Sequence, residues 1–175
     1  MHKDKAQKHQ ESALQYHPFG PVWDKNSKIL ILGSFPSVKS REDGFYYAHP
    51  QNRFWRLLEN IYNETIPKDI PSRKAFLLKH SIALFDVIYK CEIKGSSDAS
   101  IKSVQPQNLE PILKGSNINS VFCNGQTAGR LYKKYQLPIT QLPAIVLPST
   151  SAANAACSFD CLKKFWIKIL EKTIS

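Results

Sequence analysis

Four short apolar runs divide the chain, and the stretches between them carry apolar residues at helical spacing. The first, Lys28-Ile29-Leu30-Ile31-Leu32, is closed by Gly33. A continuous run of this length marks a strand buried on both faces. Residues 82–88, Val121-Phe122-Cys123 and Ala144–Leu147 read the same way. Beyond the first run and a long loop, Trp55, Leu57, Leu58, Ile61 and Tyr62 recur with the period of a helix. Pro71 and Ser72 open a second helix that runs to about His80. Residues 107–114 predict a third, stopped by Gly115 as a C-terminal cap. Residues 126–135 predict a fourth, while Leu162, Phe165, Trp166, Ile169 and Leu170 predict one continuous closing helix. Residues 90–105, with Gly95-Ser96-Ser97-Asp98 among them, read as a polar loop.

Alternation of short buried strands with helices predicts an α/β fold. The expected form is a three-layer α/β/α sandwich around a mainly parallel, four-stranded sheet. Ligands of such sheets bind in the crevice beyond the carboxyl ends of the strands. The segments after Leu32, 88, Cys123 and Leu147 are therefore the ones to inspect, and all four are polar or contain glycine. A length of 175 residues fits one domain with one core, expected over residues 15–175 behind a flexible tail of residues 1–14.

Composition narrows the class. No apolar run approaches the ~18 residues of a membrane span, and the polar opening Met1-His2-Lys3-Asp4-Lys5 does not resemble a secretory leader, so a cytoplasmic protein is expected. The formal charge of +10 favours a polyanionic partner without excluding a merely basic soluble protein. Cys91, Cys123, Cys157 and Cys161 contain no C-x-x-C pair and no nearby histidine to complete a metal set. Reduced, packed thiols and no metal are expected.

Three loops could carry chemistry. After the first strand, Gly33-Ser34-Phe35-Pro36-Ser37 can turn backbone amides toward a ligand. The following 44–55 stretch crowds Tyr46, Tyr47, Phe54 and Trp55 beside His49, Asn52 and Arg53. Aromatics so placed stack on a planar base or simply roof the core. Phe54 and Trp55 suit the core; Tyr46 and Tyr47 suit a ligand. After the fourth strand, Pro148, Ser149, Thr150 and Ser151 either bond phosphate oxygens ahead of a helix or form an ordinary helix cap. After the third, Asn124-Gly125 either reads a base edge or makes a turn.

Residues 33–55 resemble the first motif of the uracil-DNA glycosylase superfamily. The order aromatic-Ala48-His49-Pro50-Gln51-Asn52-Arg53-Phe54-Trp55 is especially similar to the loop of mismatch-specific uracil glycosylases. Leu147–Ser151 stands where the superfamily's second, DNA-intercalating Pro-Ser motif belongs. The pairing of Gly-Ser-Phe-Pro-Ser with Leu-Pro-Ser-Thr-Ser most resembles the hypoxanthine-DNA glycosylase branch, and the likeness spans most of residues 17–170.

The resemblance implies a monofunctional glycosylase that hydrolyses the N-glycosidic bond of a flipped, deaminated base in double-stranded DNA. It would act as a monomer and require no cofactor. Tyr47 would stack on the base, with Gly33, Ser34 and Phe35 lining its pocket and Asn124 reading its edge. Ser149, Thr150 and Ser151, with Pro148 and Arg53, would hold DNA, and Ala152 and Ala153 would lie near the wedge. Lys39 and Arg41 are further candidates for phosphate contact, and His49 is expected to fix its own loop. The sequence departs from the superfamily at Phe35, where an Asp or Asn that handles water is usual, and at Leu147, where classic uracil enzymes carry His. In the hypoxanthine branch the catalytic work falls to an Asn that matches Asn52. The alternatives are a G·U or G·T mismatch-specific uracil glycosylase and a catalytically inactive DNA-binding relative. A generic nucleotide-binding domain lacks support, because no G-x-G-x-x-G or phosphate-loop lysine follows the first strand.

Overall fold

The computed structural model describes residues 11–174. Its centre is a parallel sheet of β2 (Ile29–Gly33), β3 (Ile82–Asp86), β6 (Ser120–Asn124) and β7 (Ala144–Leu147), in the order β3-β2-β6-β7. Every residue of β2 and β3 is buried, as the continuous apolar runs require. In register, Ile31 lies between Leu84 and Phe122, and Phe122 is paired in turn with Ile145. The carboxyl ends therefore bring Gly33, Asp86, Asn124 and Leu147 to one edge of the sheet.

A second sheet was not legible in the sequence. β1 (Ala13–Tyr16), β4 (Ile88–Ile93) and β5 (Lys102–Pro106) form an antiparallel sheet in the order β1-β4-β5. Half of the polar loop expected over 90–105 is thus strand. Ile88, Cys91 and Ile93 face the core, while Lys90, Glu92 and Lys94 break the apolar pattern between and after them. The run 82–88 is two strands with Val87 between them, its N–H still bonded to the Gly33 carbonyl of β2. β1 also takes in Ala13 and Leu14, assigned to the tail from sequence; residues 1–10 of that tail lie outside the described residues.

The helices follow their apolar stripes. α1 (Val38–Asp43) was not anticipated; its Ser37 cap accepts the Ser40 N–H. α2 (Phe54–Tyr62) buries Phe54, Trp55, Leu57, Leu58 and Ile61. α3 (Ile70–Lys79) is capped by the Asp69 carboxylate, which accepts the Ser72 N–H. α4 (Glu110–Gly115) starts later than expected, because the Gln107 N–H is held by the Val87 carbonyl. α5 (Gln126–Tyr135) matches expectation and is followed by the short α6 (Leu137–Thr140). The single closing helix is divided at Ile167 into α7 (Phe159–Trp166) and α8 (Lys168–Ile174).

The expectation of four reduced thiols is corrected in part. Cys91 and Cys123 are free and buried, but Cys157 and Cys161 are joined as a disulfide. One precedes α7 and the other lies in its first turn, which brings their Cα atoms to 5.5 Å, within bridging range.

Candidate active site

At the carboxyl edge of the parallel sheet lies a cavity of about 420 Å³, lined by residues that include Tyr47 and Asn52 of the 44–53 loop, Asn124 and Ser149. That size suits one planar heterocycle with its sugar. The floor is Gly33. A Cβ built there would stand 2.4 Å from Asp86 Oδ1 and 3.1 Å from the Tyr47 hydroxyl, so only glycine leaves the space open.

The turn after Gly33 offers donors. The N–H groups of Ser34 and Phe35 make no hydrogen bond among the described residues, and both residues line the cavity. Ser34 Oγ donates to Asp98 Oδ1 at 2.8 Å. Burial holds the Asp98 carboxyl above the usual carboxylate range, and the Ser34 bond offsets part of that. Phe35 turns its ring inward, where it meets His17 edge-on with centroids 6.1 Å apart. The residue that departs from the superfamily pattern is therefore a packing residue.

Tyr46 and Tyr47, read together from sequence, part company. Tyr46 is a core residue: its hydroxyl donates to the Gly20 carbonyl at 2.9 Å, and its own carbonyl accepts from Trp55 Nε1. Tyr47 lines the cavity with its ring backed by Phe54, the centroids 4.0 Å apart. Its φ of 52° lies in the left-handed region, an uncommon state for a bulky residue and typical of functional turns. Its hydroxyl is buried and has no partner within hydrogen-bonding geometry among the described residues. Burial first, and the charge of Asp86 second, push its pKa well above tyrosine's ordinary value.

Three side chains that sequence reasoning treated separately form one network. Asn124 and Thr150 bond reciprocally: the Thr150 N–H donates to Asn124 Oδ1, and Asn124 Nδ2 donates to Thr150 Oγ1, each at 2.9 Å. Thr150 Oγ1 then donates to Asn52 Oδ1 at 2.9 Å, and the Phe54 N–H reaches the same oxygen at 3.0 Å. Because a backbone N–H can only donate, the Asn52 amide has one orientation, with Nδ2 left over at the cavity.

Several expected DNA contacts prove internal. Thr150 is fully buried with its hydroxyl engaged on both sides, so it joins the two amides instead of meeting phosphate. Arg53 bonds the carbonyls of Thr150, Ser151, Asn154 and Cys157 through all three guanidinium nitrogens, which makes it the clamp between the 44–53 and 148–157 loops. No helix follows Ser151: the loop continues to Ser158, the cap of α7, so no helix dipole supports a phosphate there. Pro148 accepts from Trp166 Nε1 through its carbonyl, and Ser149 Oγ accepts the Ser151 N–H. Arg41 is tied to the carbonyls of Pro36 and Gly95, and Lys39 pairs with Asp43 on the surface. His49 takes the Gln51 N–H on Nδ1, a turn bond within its own loop. Ser151, Ala152 and Ala153 stand at the cavity rim, the two alanines exposed.

Sequence reasoning missed Asp86, Asp98 and His17. Asp86 sat hidden inside the apolar run 82–88, and a charged residue closing a buried strand was the available signal. Asp98 was lost in the polar loop, and His17 carried no pattern of its own. Among the described residues no cluster of three or more His, Cys, Asp or Glu is placed to hold a metal, and no helix is long and apolar enough to cross a membrane.

Comparison with known proteins agrees with this geometry. The sequence pattern of the Uracil DNA glycosylase superfamily matches residues 21–170. The chain is 39% identical over 160 residues to a hypoxanthine DNA glycosylase of Methanosarcina barkeri (strain Fusaro / DSM 804), covering 88% of this chain and 97% of the relative. A hypoxanthine DNA glycosylase of Methanosarcina acetivorans is 34% identical over 140 residues, covering 78% and 86%. The NMR structure of a candidate uracil DNA glycosylase from M. acetivorans superposes with a TM-score of 0.77 at 28% identity, covering 93% of this chain and all of the other. The α/β sandwich with its parallel four-stranded sheet is the fold of that neighbour, and the chain belongs to the uracil DNA glycosylase superfamily.

Proposed function

We propose that the chain is a monofunctional DNA glycosylase that everts a deaminated base, hypoxanthine foremost, from double-stranded DNA and hydrolyses its N-glycosidic bond. The observation that carries this reading is the convergence of Tyr47, the unpaired Ser34 and Phe35 amides, and Asn52 Nδ2 on one base-sized cavity. The names of the two Methanosarcina relatives support hypoxanthine as the base. The net charge of +10 suits a phosphate backbone.

Eversion costs a few kcal/mol, least where deamination has already weakened pairing. The base stacks on Tyr47, and Asn124 keeps one amide hydrogen for its edge. As the bond to the sugar lengthens, charge develops on the base, and the free N–H groups of Ser34 and Phe35 meet it without reorganisation. Asn52 is no base. Its Nδ2 holds the oxygen of the attacking water, and the oxocarbenium-like sugar needs little more from its nucleophile. Water adds at the sugar carbon, the released proton passes to solvent, and an abasic site and the free base result. Ser149 and Ser151 contact the backbone at the rim, with Ala152 and Ala153 filling the vacated stack. The protein works as a monomer.

The test is single-turnover excision from duplexes carrying one hypoxanthine, uracil or xanthine, followed by alkaline cleavage. Hypoxanthine is expected to be released fastest. Release of uracil alone would favour the alternative reading as a uracil glycosylase, the activity in the name of the M. acetivorans neighbour, and the absence of abasic sites on every substrate would refute the enzyme.

A further inference from the structure

Asp86 and His17 form a buried pair that this mechanism leaves unused. His17 Nε2 lies 2.8 Å from Asp86 Oδ2, with the side chains 1% and 5% exposed. The imidazole is walled by ring edges of Phe19 and Phe85, with centroids at 4.7 and 5.3 Å. His17 Nδ1 is buried without a partner among the described residues, so the only hydrogen bond of the ring is the one between Nε2 and Asp86. One carboxylate oxygen is thereby fixed. The other, Oδ1, makes no hydrogen bond among the described residues, faces the glycine floor, and belongs to a residue lining the cavity. A carboxylate oxygen in such a site takes its hydrogen bond from whatever fills the cavity, water or a ligand with a suitably placed donor.

We propose that Asp86 is a specificity residue that selects lactam bases, accepting the N1–H of an everted hypoxanthine on Oδ1, with His17 as its positioning residue. The proposal rests on the cavity taking an everted base, and it names what that cavity reads. Hypoxanthine presents a donor at N1 beside an acceptor at O6. The site answers with an acceptor at Asp86 and with donors on the Ser34 and Phe35 backbone. Adenine, from which hypoxanthine arises by deamination, presents the reverse order: a lone pair at N1 facing the carboxylate, and an amino group facing donors. Guanine shares the lactam edge, so Asp86 separates lactam from amino purines and does not separate hypoxanthine from guanine. A negative charge beside a departing base does not speed departure, so the role of Asp86 lies in choice.

Asp86→Asn tests this sharply. The His17 Nε2–H still requires an acceptor, so the new amide turns its oxygen there and presents Nδ2–H to the cavity, inverting the code. Affinity is measured by fluorescence anisotropy on duplexes carrying non-cleavable 2′-fluoroarabino hypoxanthine or adenine opposite the same partner. The hypoxanthine-over-adenine preference of the wild type is expected to fall by about tenfold to hundredfold in D86N. Each preference is a ratio within one protein, so a lower folded fraction cancels. His17→Gln, which keeps the carboxylate and loses its support, should lower the ratio in the same direction by less. An unchanged ratio in D86N, with the wild-type preference intact, overturns the role of Asp86 and leaves the base pocket standing. No preference in the wild type overturns both.

Discussion

Thr150→Val separates the shape of the site from its wiring. Valine keeps the volume of threonine at a fully buried position and removes the hydroxyl that accepts from Asn124 Nδ2 and donates to Asn52 Oδ1. The reciprocal bond from the Thr150 N–H to Asn124 survives, as does the bond from the Phe54 N–H to Asn52. Two polar groups lose one partner each, but both border the cavity and can recover water. The loss of stability should therefore be about 1–3 kcal/mol, a fall in Tm of roughly 2–4 °C per kcal/mol for a chain of this size. The larger effect falls on rate. Asn52 is left with one bond and can swing about it, and misplacing a positioning group by about 1 Å costs on the order of a hundredfold. Single-turnover excision of hypoxanthine by T150V should fall by about tenfold to hundredfold, with duplex affinity nearly unchanged. Thr150→Ser retains the hydroxyl and should restore most of the rate. If T150V melts lower yet excises at the wild-type rate, the orientation of Asn52 does not matter to the chemistry.

Other outcomes follow from the same geometry. Asn52→Ala should lower the single-turnover rate by about a hundredfold to a thousandfold while filter binding to duplex DNA stays near wild type; a near-normal rate would remove Asn52 from the reaction. Arg53→Lys cannot reproduce four carbonyl bonds, so Tm and excision should fall together. The slope of log affinity against log salt should stay constant, whereas loss of a true phosphate contact would reduce it by about one. Asp98 has its pKa raised by burial, so the folded state holds that proton more tightly than the unfolded chain. Its carboxyl therefore costs stability as pH rises through the unfolded and then the folded value. Asp98→Asn, which still accepts from Ser34, should raise Tm at pH 7 and match the wild type near pH 3; equal Tm values throughout would show that the carboxyl is not strained.

Much of the frame was legible because it rests on pattern alone. Continuous runs such as Ile29–Gly33, too short for a helix and closed by glycine, read as doubly buried strands, and the alternation with amphipathic stretches sets them parallel. The second sheet was hidden because Lys90 and Glu92 interrupt the apolar residues of β4, and such half-buried strands read as loop. Within the site, the loops that converge were visible, since the carboxyl ends of parallel strands share one edge. The division of labour within them was not. Whether an arginine faces phosphate or carbonyls, or a threonine faces solvent or two amides, depends on contacts about 98 residues away along the chain. Tyr46 and Tyr47 are adjacent and chemically alike, and only the left-handed backbone at Tyr47 sends one into the core and the other to the cavity.

The clamp at Arg53 has a mechanical consequence. The rim it grips ends in Ala152 and Ala153, which are too small to prise bases apart by bulk. A blunt tip of this kind can enter a helical stack only if it does not yield, and fixing loose backbone on contact would cost about 1–2 kcal/mol per residue. Carbonyl bonds to Ser151 and Asn154 on either side of the alanines settle that conformation before any duplex arrives. The stiffness of the rim would then come from a guanidinium bonded to four backbone carbonyls of the loop it holds.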